Sequence, residues 1–230
     1  MNSLLHRLRN DDFSLLVSLP RNDVSLAQAA LRGGAQGLKV HINVHHHASG
    51  THFGTFEEER ANIARIVEAA GEAPVGIVPG GAPFATLEEF AALAEIGVDF
   101  FDAYPFEAPA WTLAQTHLGR MLAAFEGCSI ATMQALEAAG MEMCEASILG
   151  HEEYGRDLST LDLARYHELA NALSVPIIVP SQKRIMPTDV PSLRRTGVKG
   201  LLIGAIVTGK DAAGIESATR TFRDATKPGL

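Results

Sequence analysis

The sequence predicts a single (β/α)8 TIM barrel, spanning residues 1–230, with an extra N-terminal helix. Three observations carry this. Eight short apolar or β-branched runs alternate with stretches of helical spacing, the signature of parallel strands joined by right-handed crossovers. The chain length of 230 residues fits such a closure, for which about 250 is typical. The first strand runs into Leu19-Pro20-Arg21-Asn22 rather than a glycine-rich fingerprint, which argues against an open doubly wound sheet.

In chain order, Asn2–Arg9 is expected as a helix across the barrel floor. The strands are expected at Phe13–Leu19, Gly37–Val44, Ala73–Val78, Val98–Tyr104, Arg120–Glu126, Met141–Ile148, Val175–Val179 and Val198–Ala205. Between them, Asn62–Ala70 places Ile63, Ile66, Val67 and Ala70 on one helical face. Ser25 with Gln28, Thr55 with Glu58 and Thr86 with Glu89 have the capping-box spacing that marks helix starts. Gly33-Gly34, Gly97, Gly140 and Gly197 mark helix ends.

Composition bounds the function. Hydrophobic residues at 47% and charged residues at 20% describe a globular chain and exclude disorder. A net charge of −8 argues against a nucleic-acid partner. No window is apolar enough for a membrane span or a signal peptide, and two cysteines make no disulfide framework, so a cytoplasmic protein is expected. Barrels of this size often pair, and a homodimer or higher homo-oligomer is compatible with the chain.

The second strand is the most informative. Side chains alternate faces along a strand. Leu38, Val40, Ile42 and Val44 therefore share the helix-covered face, while Lys39, His41 and Asn43 point into the barrel. On the fourth strand Phe100, Asp102 and Tyr104 share a face; on the sixth, Met143, Glu145 and Ser147 do. Alternate strands feed the same interior layers, so Lys39, Asp102 and Glu145 are expected to converge on the axis. An ammonium flanked by carboxylates is an acid/base device, because each group shifts the others' pKa. Lys39, His41, Asp102 and Glu145 are the candidate catalytic residues, and Asn43 a substrate contact.

Five of the nine histidines, His41, His45, His46, His47 and His52, fall in and after the second strand. The loop is long for a βα connection and reads as a lid or specificity loop over the mouth. Its spacing matches no helical metal pair, and the reading carries no metal and no cofactor. A phosphate commonly binds after the seventh and eighth strands of such barrels. Gly204, Ala205, Thr208 and Gly209 offer free backbone N–H groups with little bulk, and Ser181, Lys183 and Arg184 offer a hydroxyl and charge.

Leu-Leu-Val-Ser at 15–18, Ala-Leu-Arg-Gly-Gly-Ala-Gln-Gly at 30–37, Pro-Val-Gly-Ile-Val at 74–78 and Gly-Val-Lys-Gly-Leu-Leu-Ile-Gly-Ala-Ile-Val-Thr at 197–208 carry a resemblance. With these stretches the chain resembles the ribulose-phosphate-binding barrels, nearest the N-acetylmannosamine-6-phosphate 2-epimerase branch. The resemblance implies the fold and a phosphorylated, sugar-like ligand. That branch carries a catalytic lysine after its third strand and a catalytic glutamate ending its seventh. Here those places hold Pro79-Gly80-Gly81 and Val179-Pro180-Ser181. The expected function is an isomerase, epimerase, aldolase or lyase acting on a small phosphorylated carbonyl compound. The alternatives are a metal-dependent enzyme using the histidine loop and a non-catalytic phosphometabolite-binding or assembly protein.

Overall fold

The computed structural model describes residues 3–11 and 13–227. Asn2, the first residue of the expected floor helix, lies outside them. The strands are β1 (Ser14–Ser18), β2 (Gly37–His41), β3 (His45–His46), β4 (Thr51–His52) and β5 (Val75–Val78). They continue with β6 (Phe100–Ala103), β7 (Gly119–Ala124), β8 (Met143–Ala146), β9 (Ile177–Pro180) and β10 (Gly200–Ile203). Eight of them close a parallel barrel in the order β1-β10-β9-β8-β7-β6-β5-β2, with β1 also pairing β2. The other two, β3 and β4, form a small antiparallel hairpin above it.

The helices are α1 (Ser3–Asn10), α2 (Val24–Gly33), α3 (Phe56–Ala70), α4 (Leu87–Glu95) and α5 (Ile130–Ala138). They are followed by α6 (Thr160–Ala172), α7 (Val190–Arg195), α8 (Ala205–Thr208) and α9 (Ala212–Ala225). Thr55 and Thr86 close full capping boxes with Glu58 and Glu89. At α2 the cap is Asp23, which accepts from the Ser25 N–H, so the expected start at Ser25 falls inside the first turn. The crossover from β6 to β7 carries only a 3-10 turn at Ala110–Leu113, where strict alternation expects a helix. No helix among the described residues is long and apolar enough to cross a membrane.

Two apolar clusters hold the barrel. The larger lies between the outer strand faces and the helices and contains Leu38, Val40, Ile63, Ile66 and Phe101. The smaller fills the lower barrel, where Leu4, Leu5 and Leu8 of α1 meet Leu16, Phe100, Met121, Met143, Ile178 and Leu202. Asp99 anchors α1 there by accepting the N–H groups of Ser3 and Leu4, each at 2.9 Å. Each such leucine contributes about 1.5–3 kcal/mol through burial.

Phe100 reaches across the lower barrel because its neighbour in register, Gly76, has no side chain. A Cβ on Gly76 would stand 2.1 Å from the Phe100 ring. Gly76→Ala should therefore destabilise the protein by about 1–3 kcal/mol, the scale of overpacking. Pairing it with Phe100→Leu should recover part of that loss. Urea unfolding of the single and double variants checks both; additive losses would mean that the two residues do not compete for space.

Candidate active site

The strand parity that places Phe100 at the bottom places Asp102 one layer higher, beside Lys39 of β2 and Glu145 of β8. The Lys39 Nζ donates to Asp102 Oδ2 at 2.7 Å and to Glu145 Oε2 at 2.5 Å. All three side chains are buried, and they form the floor of a cavity of about 260 Å³ at the C-terminal ends of the strands. Burial works to strip Lys39 of its proton, but the charges of Asp102 and Glu145 and their hydrogen bonds outweigh it. The ammonium is held above its ordinary pKa. At Glu145 burial wins instead. Burial, then the charge of Asp102, push its carboxyl up to about 8 against the opposing pull of Lys39. The floor thus combines a permanent ammonium with a carboxyl that exchanges its proton near neutrality.

His41 stands above Lys39 on β2, fully buried. Its backbone is clamped by the Asn22 amide, which accepts from the His41 N–H and donates to its carbonyl. Burial, then the neighbouring His46 and the Lys39 charge, hold the imidazole well below its usual pKa, so it is neutral. Its Nε2 lies 3.4 Å from Ser18 Oγ, and its Nδ1 has no partner among the described residues. Its ring packs against His46 and Phe53, with centroids 4.5 and 4.6 Å away.

The histidine-rich loop is a hairpin in which His45 pairs His52 and His46 pairs Thr51. His45, His46 and His47 line the cavity from above. Burial, then Lys39 and the flanking histidines, bring His46 down to about 4. Its Nδ1 lies 2.8 Å from Ser49 Oγ. His47 stacks on His151 of the opposite rim at 4.2 Å. Among the described residues no group of three or more histidine, cysteine or acidic side chains is arranged to hold a metal ion.

The remaining expected contacts divide. Ser181 and Gly204 line the cavity, and Ser181 Oγ accepts the Gly204 N–H at 2.8 Å. Ala205 opens α8 rather than extending the last strand, and Gly204 is that helix's cap. The buried Thr208 hydroxyl donates to the Gly209 carbonyl. Gly209, with a φ of 69°, ends the helix. Lys183 departs from expectation. Its ammonium is buried against Glu153 Oε2 at 2.6 Å and Asp162 Oδ2 at 3.6 Å, away from the cavity. Arg184 pairs with Asp157 at the surface. Asn43 departs too: β2 stops at His41, and Asn43 takes a left-handed φ of 55° in the turn into the hairpin. Its side chain does not line the cavity.

Tyr104, Ser147, Tyr154 and Gln182 also line the cavity, and none stands among the expected site residues. The face parity of β6 and β8 places Tyr104 and Ser147 above Asp102 and Glu145. Tyr154 and Gln182 come from loops, where no periodicity announces direction.

Solved structures similar to this chain share its fold. Tryptophan synthase from Mycobacterium tuberculosis aligns with a TM-score of 0.75 at 16% identity, covering 98% of this chain and 97% of that one. A 3-hexulose-6-phosphate synthase aligns with a TM-score of 0.67 at 17% identity, over 93% of this chain and 99% of that one. Thiamine phosphate pyrophosphorylase from Pyrococcus furiosus gives 0.67 at 14% identity, over 94% and 96%. No protein-family model matches the sequence, and no curated protein does. The likeness is one of fold, a (β/α)8 barrel.

The raised carboxyl has a thermodynamic signature. An ordinary glutamate loses its proton near 4.5, whereas Glu145 in the fold keeps it to about 8. The native state then holds a proton that the unfolded chain has released. Its stabilising contribution is complete below the unfolded value and is lost as pH rises through the folded one. Urea unfolding at about pH 5 and about pH 8.5 should show a larger loss of stability in the wild type than in Glu145→Gln. Equal losses would mean that Glu145 is ionised throughout.

Proposed function

We propose that this chain is an enzyme that moves protons on a small phosphorylated carbonyl compound, the chemistry of isomerases, epimerases and metal-independent lyases. The observation that carries the reading is the Lys39 ammonium held between Asp102 and Glu145 at the floor of an open cavity. A charged amine has no lone pair for a Schiff base, so Lys39 works as an electrophile beside an oxygen that gains negative charge. Glu145, poised near neutrality, takes a proton from carbon and returns it. Asp102 keeps the ammonium charged, and neutral His41 polarises the substrate carbonyl.

The phosphate is assigned to the corner between Ser181 and Gly204. In α8 the Val207 and Thr208 N–H groups bond to the Gly204 carbonyl, which leaves those of Ala205 and Ile206 with no acceptor in their own helix. The Ser181 hydroxyl, having accepted from Gly204, keeps its hydrogen to donate. A cavity of about 260 Å³ suits a substrate of few carbons. The names of two similar structures, a hexulose-phosphate synthase and a thiamine phosphate pyrophosphorylase, are consistent with a phosphorylated ligand.

A panel of phosphorylated sugars and small aldehydes screened against the wild type supplies the substrate. Lys39→Met and Glu145→Gln should each then lower turnover by about a hundredfold or more, the scale of a lost acid or base. Lys39→Arg should not rescue, because the broad planar guanidinium does not fit a buried site shaped for a compact ammonium between two carboxyl groups. Borohydride should trap no adduct on Lys39. Turnover that survives both substitutions would move the chemistry elsewhere. Gly204→Val, which fills the phosphate corner, should raise KM by about tenfold, the loss of roughly one charge-assisted hydrogen bond.

A further inference from the structure

Above the charged floor the cavity has a wall made of hydroxyls. Tyr104 OH and Ser147 Oγ lie 2.9 Å apart, and Gln182 Nε2 donates to Tyr154 OH at 3.1 Å. The direction of this network follows from the Gln182 amide. Its Oε1 accepts the Leu149 N–H at 3.3 Å and its Nε2 donates to the Leu149 carbonyl at 2.9 Å. Turning the amide over would set N–H against N–H and oxygen against oxygen, so its orientation is fixed. The hydrogen left on Nε2 must therefore enter the Tyr154 oxygen, and Tyr154 cannot pass its own hydrogen back.

Hydrogens can then be counted. Tyr104, Ser147 and Tyr154 carry three, one per hydroxyl. The three oxygens make at most two contacts among themselves, Tyr104 with Ser147 and Tyr104 with Tyr154. Among the described residues they have no other acceptor, so at least one O–H is left for whatever fills the cavity. Burial raises the pKa of both phenols, which stay neutral donors. Beneath them, Asp102 already answers the Lys39 ammonium, Glu145 holds its proton to about 8, and Glu107 also lines the cavity. A negatively charged ligand group would find that ammonium already answered by Asp102 and the acidic Glu107 nearby, whereas an uncharged oxygen needs only a donor.

We infer that the Tyr104–Ser147–Tyr154 wall, oriented by Gln182, is a specificity subsite that donates a hydrogen bond to an uncharged oxygen of the ligand, a ketone or aldehyde carbonyl, and rejects a carboxylate. This rests on the reading of the site under Proposed function and adds to it which groups recognise the carbonyl end of the substrate and that a carboxylate is refused there. Gln182 is a positioning residue: it sets the direction in which the hydroxyls donate.

Three probes of nearly equal size test it by isothermal titration: hydroxyacetone phosphate, propyl phosphate and phosphoglycolate. They present a carbonyl, no acceptor and a carboxylate. The wild type should bind hydroxyacetone phosphate about tenfold more tightly than propyl phosphate, the scale of one neutral hydrogen bond. Phosphoglycolate should bind more weakly than hydroxyacetone phosphate. In the triple variant Tyr104→Phe/Ser147→Ala/Tyr154→Phe the preference should vanish while propyl phosphate still binds. Tyr104→Phe or Ser147→Ala alone should keep most of the preference, because each leaves a hydroxyl hydrogen to donate. A wall that served only packing would not show this pattern. Equal wild-type binding of the first two probes, or tighter binding of phosphoglycolate, overturns the inference without any variant. If no phosphate ester binds, the phosphate assignment fails instead. Hydroxyacetone, propanol and glycolate, followed by saturation-transfer NMR, then decide the wall by the same order of preference.

Discussion

A buried ammonium is tolerable only with its charge answered at contact distance, and Lys39 sets that condition for the interior of this barrel. Two carboxylates answer it, from β6 and from β8, so three strands around the ring are tied through one nitrogen. Two negative charges against one positive leave a surplus, and Glu145 absorbs it by holding its proton longer than an isolated carboxyl would. The layers on either side follow. Below, the barrel is apolar and sealed by α1; above, it opens into hydroxyl and imidazole groups that tolerate water. The pattern is a polarity gradient along the axis, with the ion cluster at the boundary.

Much of this was legible in the sequence, for a geometric reason. Alternation along Gly37–His41, Phe100–Ala103 and Met143–Ala146 is a local property. Closure into a barrel turns three local parities into one meeting point, so Lys39, Asp102 and Glu145 could be set on the axis from the chain alone. The same reasoning overran its limits at strand ends. Val40-His41-Ile42-Asn43-Val44 keeps its apolar–polar alternation, yet the backbone turns at Asn43, where asparagine tolerates a left-handed φ. Gly204-Ala205 reads as more strand, but glycine serves as the cap of a short helix.

Loop residues were less legible, since their direction depends on partners distant in sequence. Lys183 follows Ser181 and Gln182, two residues that line the cavity, and charge alone suggested that it joins them. Asp162 at the start of α6 and Glu153 claim its ammonium instead. Tyr154 owes its place to Gln182, which also clamps Leu149. The histidines after β2 are conspicuous by composition, yet they act here as rings: His46 packs on His41 and His47 on His151. A count of imidazoles does not say which residues face one another; the pairing register of the hairpin, His45 with His52 and His46 with Thr51, does.

The helix that stops the lower end of the barrel also governs traffic through the upper one. With Leu4, Leu5 and Leu8 packed beneath Phe100 and Met143, the interior is a blind well rather than a tunnel. A molecule that reaches Lys39 must leave by the way it entered, past the histidine hairpin and the stacked rings of His47 and His151. Entry and exit are then one gate used twice, and a departing molecule blocks its successor. In a well of this shape the pace of exchange depends on how readily the rim parts as well as on how tightly the groups at the bottom hold their guest.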